Sequence, residues 1–387
     1  MQEKNRVIIS NKGRDRILRG HRWVYSSEII KMTEIKSDLV YIFDQKRHFI
    51  GSALYSKDSQ IALRLIDRDE ITDINAHIER SLLLAGEYRE RLALSGDCLR
   101  IVHSESDNLP GLIVDKYADT IVFMTLTRPM ENLKEIIVKK IAEIFNPLQI
   151  FEKNDSKTRA IERLPESVKT VHGKERKELF CTENHHIFFV DLYNSQKTSE
   201  YLDQKINRAV VGRYARGRVL DLFCYHSWFG CNINNYEEII SVDSSQIALE
   251  ISERNKALNN KSRFHTVEAN VFDYLRGLER RGERFDTIIL DPPGFIRSSR
   301  DFESGYRGYK EINLRAMKIL SKGGILATFS CSYYMSDEDF SRMIRDAATD
   351  AGVEFVIKEY LRQSPDHREI LGFPESHYLK GFILEKI

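Results

Sequence analysis

The chain has 387 residues, 42% of them hydrophobic and 30% charged, which is ordinary for a soluble globular protein and long enough for two or three domains. Lys and Arg number 59 against 58 Asp and Glu, a net charge of +1, so bulk electrostatics make no case for a nucleic-acid partner and any such case rests on local patches. No apolar run approaches the roughly 18–20 residues of a membrane span. The five cysteines are scattered, with no CxxC pair and no zinc spacing, so neither a metal nor a membrane is expected and a reducing, cytoplasmic location is.

The N-terminus, Met1-Gln2-Glu3-Lys4-Asn5-Arg6, leads into a strand-like run and not into the apolar core of a signal peptide. Residues 1–72 read as a small β-rich domain, with strand composition at 7–9, 39–43, 49–54 and 61–66. Between the first two of these, Arg14 to Tyr25 packs five basic side chains and two aromatics into twelve positions. Arginines beside stacking rings suit RNA, which makes Arg19, His21, Arg22 and Trp23 candidate contacts. The alternative is a solvated helix end whose Trp23 and Tyr25 fill a small core.

Residues 73–180 read as a small α/β middle domain. Ile74, Ile78, Leu82 and Ala85 recur at helical spacing within 73–94. Strands follow near 99–103, 112–114 and 120–126, with a turn at Asn108-Leu109-Pro110-Gly111 and a helix near 130–145. The segment 181–205 reads as an entry hairpin, 187–192 being one arm, to a last domain that runs to 387. There strands at 219–223, 239–242, 264–267, 287–290 and 324–329 alternate with helices near 245–258, 310–320 and 336–351. That alternation predicts an α/β fold built on a doubly wound parallel, Rossmann-like sheet.

Asp221 and Asp243, 22 residues apart, end the first two of these strands, and Asp273 follows the third. An acid at the end of the second strand of such a sheet binds ribose hydroxyls. With no pyrophosphate cradle in sight, the three acids suit S-adenosylmethionine. Alternatively they cap helices or hydrate loops. The turn between the first two acids, Asp221 to Gly230, is poor in glycine: Gly230 is the only one, and Trp228 the bulkiest residue.

Two apolar runs end in reactive groups, Ile288-Ile289-Leu290-Asp291-Pro292-Pro293-Gly294-Phe295 and Ala327-Thr328-Phe329-Ser330-Cys331-Ser332. Two parallel strands would deliver both to one sheet edge. A carboxylate and a thiol there suit methylation of cytosine carbon 5. A thiolate adding to carbon 6 makes carbon 5 nucleophilic, and a carboxyl group can protonate ring nitrogen 3. Asp291 and Cys331 are thus the catalytic candidates, with Phe295 placed to stack on a flipped base. Taken alone, Cys331 reads equally well as a buried structural thiol. Its Ser-Cys-Ser flank and its pairing with Asp-Pro-Pro favour the nucleophile, whereas Cys98, Cys181, Cys224 and Cys231 read as small core residues.

In this order the motifs resemble the PUA-domain class I RNA methyltransferases, whose best-known members make 5-methylcytosine in large-subunit (23S) ribosomal RNA. The likeness spans Gly20-His21-Arg22-Trp23-Val24-Tyr25, Asp107 to Tyr117, Ser195-Gln196-Lys197-Thr198 with Tyr201-Leu202-Asp203-Gln204 and Asn207-Arg208, and Asp291-Pro292-Pro293-Gly294-Phe295. It continues through Arg307-Gly308-Tyr309-Lys310, Ser330-Cys331-Ser332, Asp366-His367 and Tyr378-Leu379-Lys380-Gly381. The resemblance implies a PUA domain over 1–72, a middle domain over 73–180 and a methyltransferase domain over 181–387. It implies S-adenosylmethionine as cofactor, held by Lys197, Thr198, Asp203, Gln204, Asp221, Gly230, Asp243, Asp273 and Asp291. It further implies Cys331 as nucleophile and RNA as partner, and it leaves a homodimer open.

The chain departs from the family pattern at positions 185, 195, 199, 227 and 228, where His185, Ser195, Ser199, Ser227 and Trp228 replace glycine; it also has Glu200 for an aromatic and His226 for threonine. Two other functions stay open beside cytosine-5 transfer. Asp-Pro-Pro corners also serve enzymes that methylate base nitrogens, and a filled cofactor pocket would leave an RNA-binding shell.

Overall fold

Val7 and Ile9, then Val40 and Ile42, are buried at every second position, the period of a strand with one face on a core. Their strands belong to a six-stranded sheet built from β1 (Arg6–Ile9), β2 (Trp23–Tyr25), β3 (Ile29–Met32), β4 (Leu39–Phe43), β5 (Phe49–Tyr55) and β6 (Ile61–Asp67), in the order β2-β6-β5-β4-β1-β3. Helix α1 (Asn11–Leu18) adds Ile17 to its core. The computed structural model describes residues 5–176 and 178–387. Residues 1–4, part of the N-terminus considered above for a signal peptide, lie outside them.

Helix α2 (Ile74–Leu92) starts where the Asp73 carboxylate accepts the backbone N–H groups of Asn75 and Ala76, and it buries Ile78, Leu82 and Ala85. A five-stranded sheet follows, ordered β11-β10-β9-β8-β7. It comprises β7 (Cys98–His103), β8 (Leu112–Tyr117), β9 (Thr120–Thr125), β10 (Gln149–Asn154) and β11 (Ser167–Gly173), with α3 (Arg128–Asn132) and α4 (Lys134–Phe145) between β9 and β10. The single helix expected over 130–145 is thus two, separated at Leu133, whose backbone leaves helical geometry at φ −91°, ψ 2°. Both sheets lie in one compact unit, Met1–Leu179, which also takes in Val190–Glu200 and Pro365–Ser376.

The second unit comprises Phe180–Phe189, Tyr201–Ser364 and His377–Ile387. A hairpin of β12 (Leu179–Glu183) and β13 (His186–Val190) precedes α5 (Lys205–Tyr214). The seven-stranded sheet then follows as β14 (Arg218–Leu222), β15 (Glu238–Asp243), β16 (Phe264–Glu268), β17 (Phe285–Leu290), β18 (Leu320–Ser330), β19 (Phe355–Arg362) and β20 (Lys380–Lys386). Its helices are α6 (Trp228–Cys231), α7 (Gln246–Leu258), α8 (Val271–Arg281), α9 (Phe302–Ile319) and α10 (Asp337–Ala351). The strand order is β16-β15-β14-β17-β18-β20-β19. The first five strands are parallel as expected, whereas β20 runs antiparallel to both its neighbours. β19 and β20 at this edge have no counterpart among the expected strands. Leu220, Leu222, Leu290 and Leu326 anchor one core beneath α8, α9 and α10, joined by Leu275, Ile312 and Phe340.

Helix α9 begins eight residues before the expected 310. A Cβ on Gly305, within this added turn, would stand 2.4 Å from the Ile296 side chain and 3.0 Å from the Phe295 carbonyl. Glycine there lets the helix lie directly against the loop after β17.

The β12–β13 turn places Asn184 and His185 at φ 49° and 69°, the two left-handed residues of a type I′ hairpin, for which Asn-Gly is preferred. His185 therefore holds a glycine conformation with a side chain attached. We expect His185→Gly to raise stability by about 0.5–1 kcal/mol. Thermal melts of the full chain check this, and a lower melting temperature would contradict it.

Candidate functional site

Register sets the chemistry in a row. β15 pairs with β14 as Leu222↔Val242, β14 with β17 as Leu222↔Leu290, and β17 with β18 as Leu290↔Thr328. Asp243, Asp221, Asp291 and Cys331 consequently lie at the carboxyl ends of four adjacent strands, where open α/β sheets bind ligands.

Pro292 and Pro293 lack N–H groups and cannot extend the ladder, so the chain turns off β17 immediately after Asp291. The Cys331 Sγ, one residue past β18, meets the Pro292 carbonyl at 3.9 Å. A Cβ on Gly294 would lie 3.7 Å from that sulfur, so glycine leaves space beside the thiol. Two hydroxyls tie the corner to the thiol loop. Ser332 Oγ accepts the Ile296 N–H at 3.2 Å and lies 2.9 Å from the Tyr309 hydroxyl. The same hydroxyl lies 3.4 Å from the Pro293 carbonyl and accepts the Phe295 N–H at 3.5 Å. Cys331 is partly exposed, while the other four cysteines are buried. Asp291 is held from the other side by Gln204, whose Nε2 donates to Oδ1 at 2.9 Å.

The Asp221 carboxylate is buried. Its Oδ2 accepts the Gly230 N–H at 3.2 Å and faces Ser241 Oγ at 3.5 Å, whereas Oδ1 has no partner. Burial pushes this carboxyl up to about 7; the Gly230 bond opposes the rise, and the charges of Asp291 and Asp243 add to it. Asp243 accepts the backbone N–H groups of Tyr225 at 3.0 Å and Ser245 at 2.9 Å, so it does pin a loop. Asp273 sits in the first turn of α8 with its side chain 74% exposed and paired to Arg276. Asn270, immediately before α8, caps the helix by accepting the backbone N–H groups of Phe272 and Asp273. Asp203 accepts the Tyr378 hydroxyl at 2.8 Å.

Of the five positions where glycine is replaced, His185, Ser199 and Ser227 take positive φ, 69°, 131° and 57°, while Ser195 and Trp228 do not. Three positions therefore retain the glycine conformation under a side chain, at a cost of about 1–2 kcal/mol each. Ser227 offsets part of that through a 2.6 Å bond with Ser252. The Trp228 ring is buried and stacks on Phe188 at 4.0 Å and 15°, with the Arg208 guanidinium 5.0 Å from its centre. Arg208 is in turn held by Glu183 at 2.5 and 2.7 Å. The tryptophan thus packs onto the hairpin.

The remaining sequence candidates divide between the units. Lys197 and Thr198 belong to the first; Lys197 is exposed, and the buried Thr198 hydroxyl donates to Asp115. Arg19 is exposed there too. His21 is buried 3.2 Å from Glu375, and Trp23 donates its indole N–H to Glu105 at 2.8 Å while meeting Phe373 edge-on at 5.0 Å. Arg22 is half-buried; burial and the neighbouring Arg68 lower its pKa. Phe295, in the second unit, is partly buried against Tyr309 at 4.7 Å and Phe272 at 5.9 Å. Sequence reasoning assigned no chemistry to Tyr309, Ser332 or Lys380. Their signal lay in the Arg307-Gly308-Tyr309-Lys310, Ser330-Cys331-Ser332 and Tyr378-Leu379-Lys380-Gly381 motifs, which carried only the resemblance. Among the described residues no helix is long and apolar enough to cross a membrane, and no three His, Cys, Asp or Glu side chains cluster to hold a metal.

Comparison with known proteins matches residues 7–68 to a PUA-like domain and residues 161–370 to the S-adenosylmethionine-dependent methyltransferase family. Ribosomal RNA large subunit methyltransferase I of Tolumonas auensis is 38% identical over 98% of this chain and 99% of its own. The protein of the same name from Aeromonas hydrophila is 36% identical over 96% and 97%. Among solved structures, a candidate SAM-dependent methyltransferase from Streptococcus mutans superposes with a TM-score of 0.84 at 20% identity, covering 98% of this chain and 99% of that one. A methyltransferase-like chain solved with SAH gives a TM-score of 0.86 at 20% identity over the same shares. At that identity the two structures show the fold.

Proposed function

Because the chain belongs to the S-adenosylmethionine-dependent methyltransferase family that includes ribosomal RNA large subunit methyltransferase I, we propose that it methylates carbon 5 of a cytosine in large-subunit ribosomal RNA. The carrying observation is the Cys331 thiol against the Pro292 carbonyl, 3.9 Å away, beside Asp291 and the bare Gly294.

S-Adenosylmethionine carries an ammonium and a sulfonium charge, and the residues present suit it. A buried carboxylate oxygen of Asp221 lacks a partner, and Asp243 and Asp291 lie on the neighbouring strand ends. In this proposal Asp203, Gln204, Asp221, Gly230, Asp243, Asp273 and Asp291 hold the cofactor, which supplies an electrophilic methyl group. Cys331 Sγ bonds to cytosine carbon 6, and the carbon 5–carbon 6 π electrons move toward nitrogen 3, which a protonated Asp291 can supply with its proton. As nitrogen 3 returns its proton to Asp291, the electrons flow back to carbon 5, which would take the methyl group that the cofactor supplies. Loss of the carbon 5 proton expels the thiolate and restores the ring. The Pro292-Pro293 wall and Phe295 bound the site for a base taken out of its stack.

Nucleoside mass analysis of large-subunit RNA from cells with and without the protein tests this. The expected result is one 5-methylcytosine lost with the protein. A methyl group on a base nitrogen would favour the thiol-free alternative, and no lost modification would favour an RNA-binding shell.

A further inference from the structure

Lys380 begins β20 directly opposite Ser330, the last residue of β18. Its side chain is almost wholly buried, 4% exposed, and its ammonium donates to three backbone carbonyls: Ser332 at 2.9 Å, Met335 at 2.6 Å and Tyr378 at 3.1 Å. It spans the turn that begins at Cys331. Among the described residues it forms no ion pair. The acids at the start of α10 are engaged elsewhere, Asp337 with His377 at 2.9 Å and Asp339 with Arg342 at 2.5 Å. A buried ammonium with three carbonyls and no carboxylate is uncommon, because carbonyl dipoles only partly replace its hydration.

We propose that Lys380 is the positioning residue for the Cys331 nucleophile: clamped to the carbonyls of the thiol loop, it sets a buried positive charge beside the sulfur and favours the thiolate. The inference rests on the cytosine-5 reading. The proton leaves Cys331 to solvent, and no bond of Lys380 changes. Burial lowers the Lys380 ammonium to about 8, while Asp337, Cys331 and Asp339 pull it upward. It is therefore charged at neutral pH. Tyr309 is pushed up to about 12, by burial and by Cys331 itself, and stays neutral. Asp291 adjoins the corner on β17, and Asp337 and Asp339 on α10 are acids. His377 is engaged by Asp337.

The test is the pH dependence of iodoacetamide alkylation at Cys331, followed by the mass of its peptide in the full-length protein. In wild type the midpoint should fall below the roughly 8.5 of an ordinary thiol. In Lys380→Met it should rise by at least about one unit, slowing alkylation at pH 7 about tenfold, and Lys380→Arg should restore most of the difference. A folded Lys380→Met protein with an unmoved midpoint would overturn the proposal. If that variant fails to fold, a wild-type midpoint at or above an ordinary thiol would overturn it instead. Neither readout needs RNA or cofactor, so failure here is distinct from failure of the cytosine-5 reading, which would show as methylation surviving in Cys331→Ala.

Discussion

Cys331→Ala should lower methyl transfer to large-subunit RNA by on the order of 10³-fold or more, with RNA affinity and melting temperature close to wild type. Without sulfur addition at carbon 6, carbon 5 has no electron pair to offer. The methyl donor and the acceptor base can still be bound, so the loss falls on the rate of chemistry. Cys331 is partly exposed and sits one residue past the end of β18, so truncation costs the fold little. RNA carrying 5-fluorocytosine at the target sharpens the result. Fluorine cannot leave carbon 5 as a proton does, so the carbon 6–sulfur bond persists and protein and RNA run as one covalent species. That species should form with wild type and vanish in Cys331→Ala. Activity surviving in the variant would remove the thiol from the mechanism.

Asp221→Asn should make the protein more stable at pH 8 and leave it nearly unchanged at about pH 4. The native carboxyl is raised to about 7 from 3.8, so between these values the folded state keeps a proton that the unfolded state has released. Stability therefore falls as pH rises through that window, and the cost is complete above the folded value. Roughly three units correspond to on the order of 4 kcal/mol. Asparagine keeps the shape and a carbonyl oxygen for the Gly230 N–H without the charge. Melting curves of the two proteins across pH should diverge by several degrees toward alkaline pH. Parallel curves would mean that Asp221 is already ionised near neutrality. If the cofactor's positive charge lies by Asp221, binding should also expel this proton in wild type and not in Asp221→Asn, which calorimetry in two buffers of different ionisation enthalpy would register.

Much of the architecture was written in periodicity. Val219-Leu220, Ile239-Ile240, Ile288-Ile289-Leu290 and Ile325-Leu326-Ala327 are short apolar runs that mark four of the parallel strands, and register then places Asp221, Asp243, Asp291 and Cys331 on adjacent ends. What escaped was tertiary in origin. β19 lies at a sheet edge with Val356, Ile357 and Tyr360 exposed and Leu361 its one buried residue, so no buried run marks it. The first two turns of helix α9 were missed, and the close approach of Ile296 that explains Gly305 cannot be seen from one segment. Replaced glycines at 195 and 228 looked like obstructions, yet neither position has positive φ. Trp23 looked free to stack on RNA, yet its indole is bonded to Glu105, 82 residues away. Lys380 was visible only as part of a motif, since its carbonyl partners lie up to 48 residues upstream.

The two units are interleaved along the chain: their boundary is crossed after residues 179, 189, 200, 364 and 376. A gene cut once at any of these points never yields both units whole: a cut after 179 keeps the second unit entire but strips 190–200 and 365–376 from the first, and a cut after 376 keeps the first entire but strips 377–387 from the second. The 181–387 stretch that resembles a methyltransferase domain would leave behind none of its own sheet, but it would carry away 190–200 and 365–376 from the first unit. No single joint therefore hands on both units intact. The two units must be inherited, synthesised and folded as one message, and a ribosome has to release nearly the entire polypeptide before either unit has all of its parts.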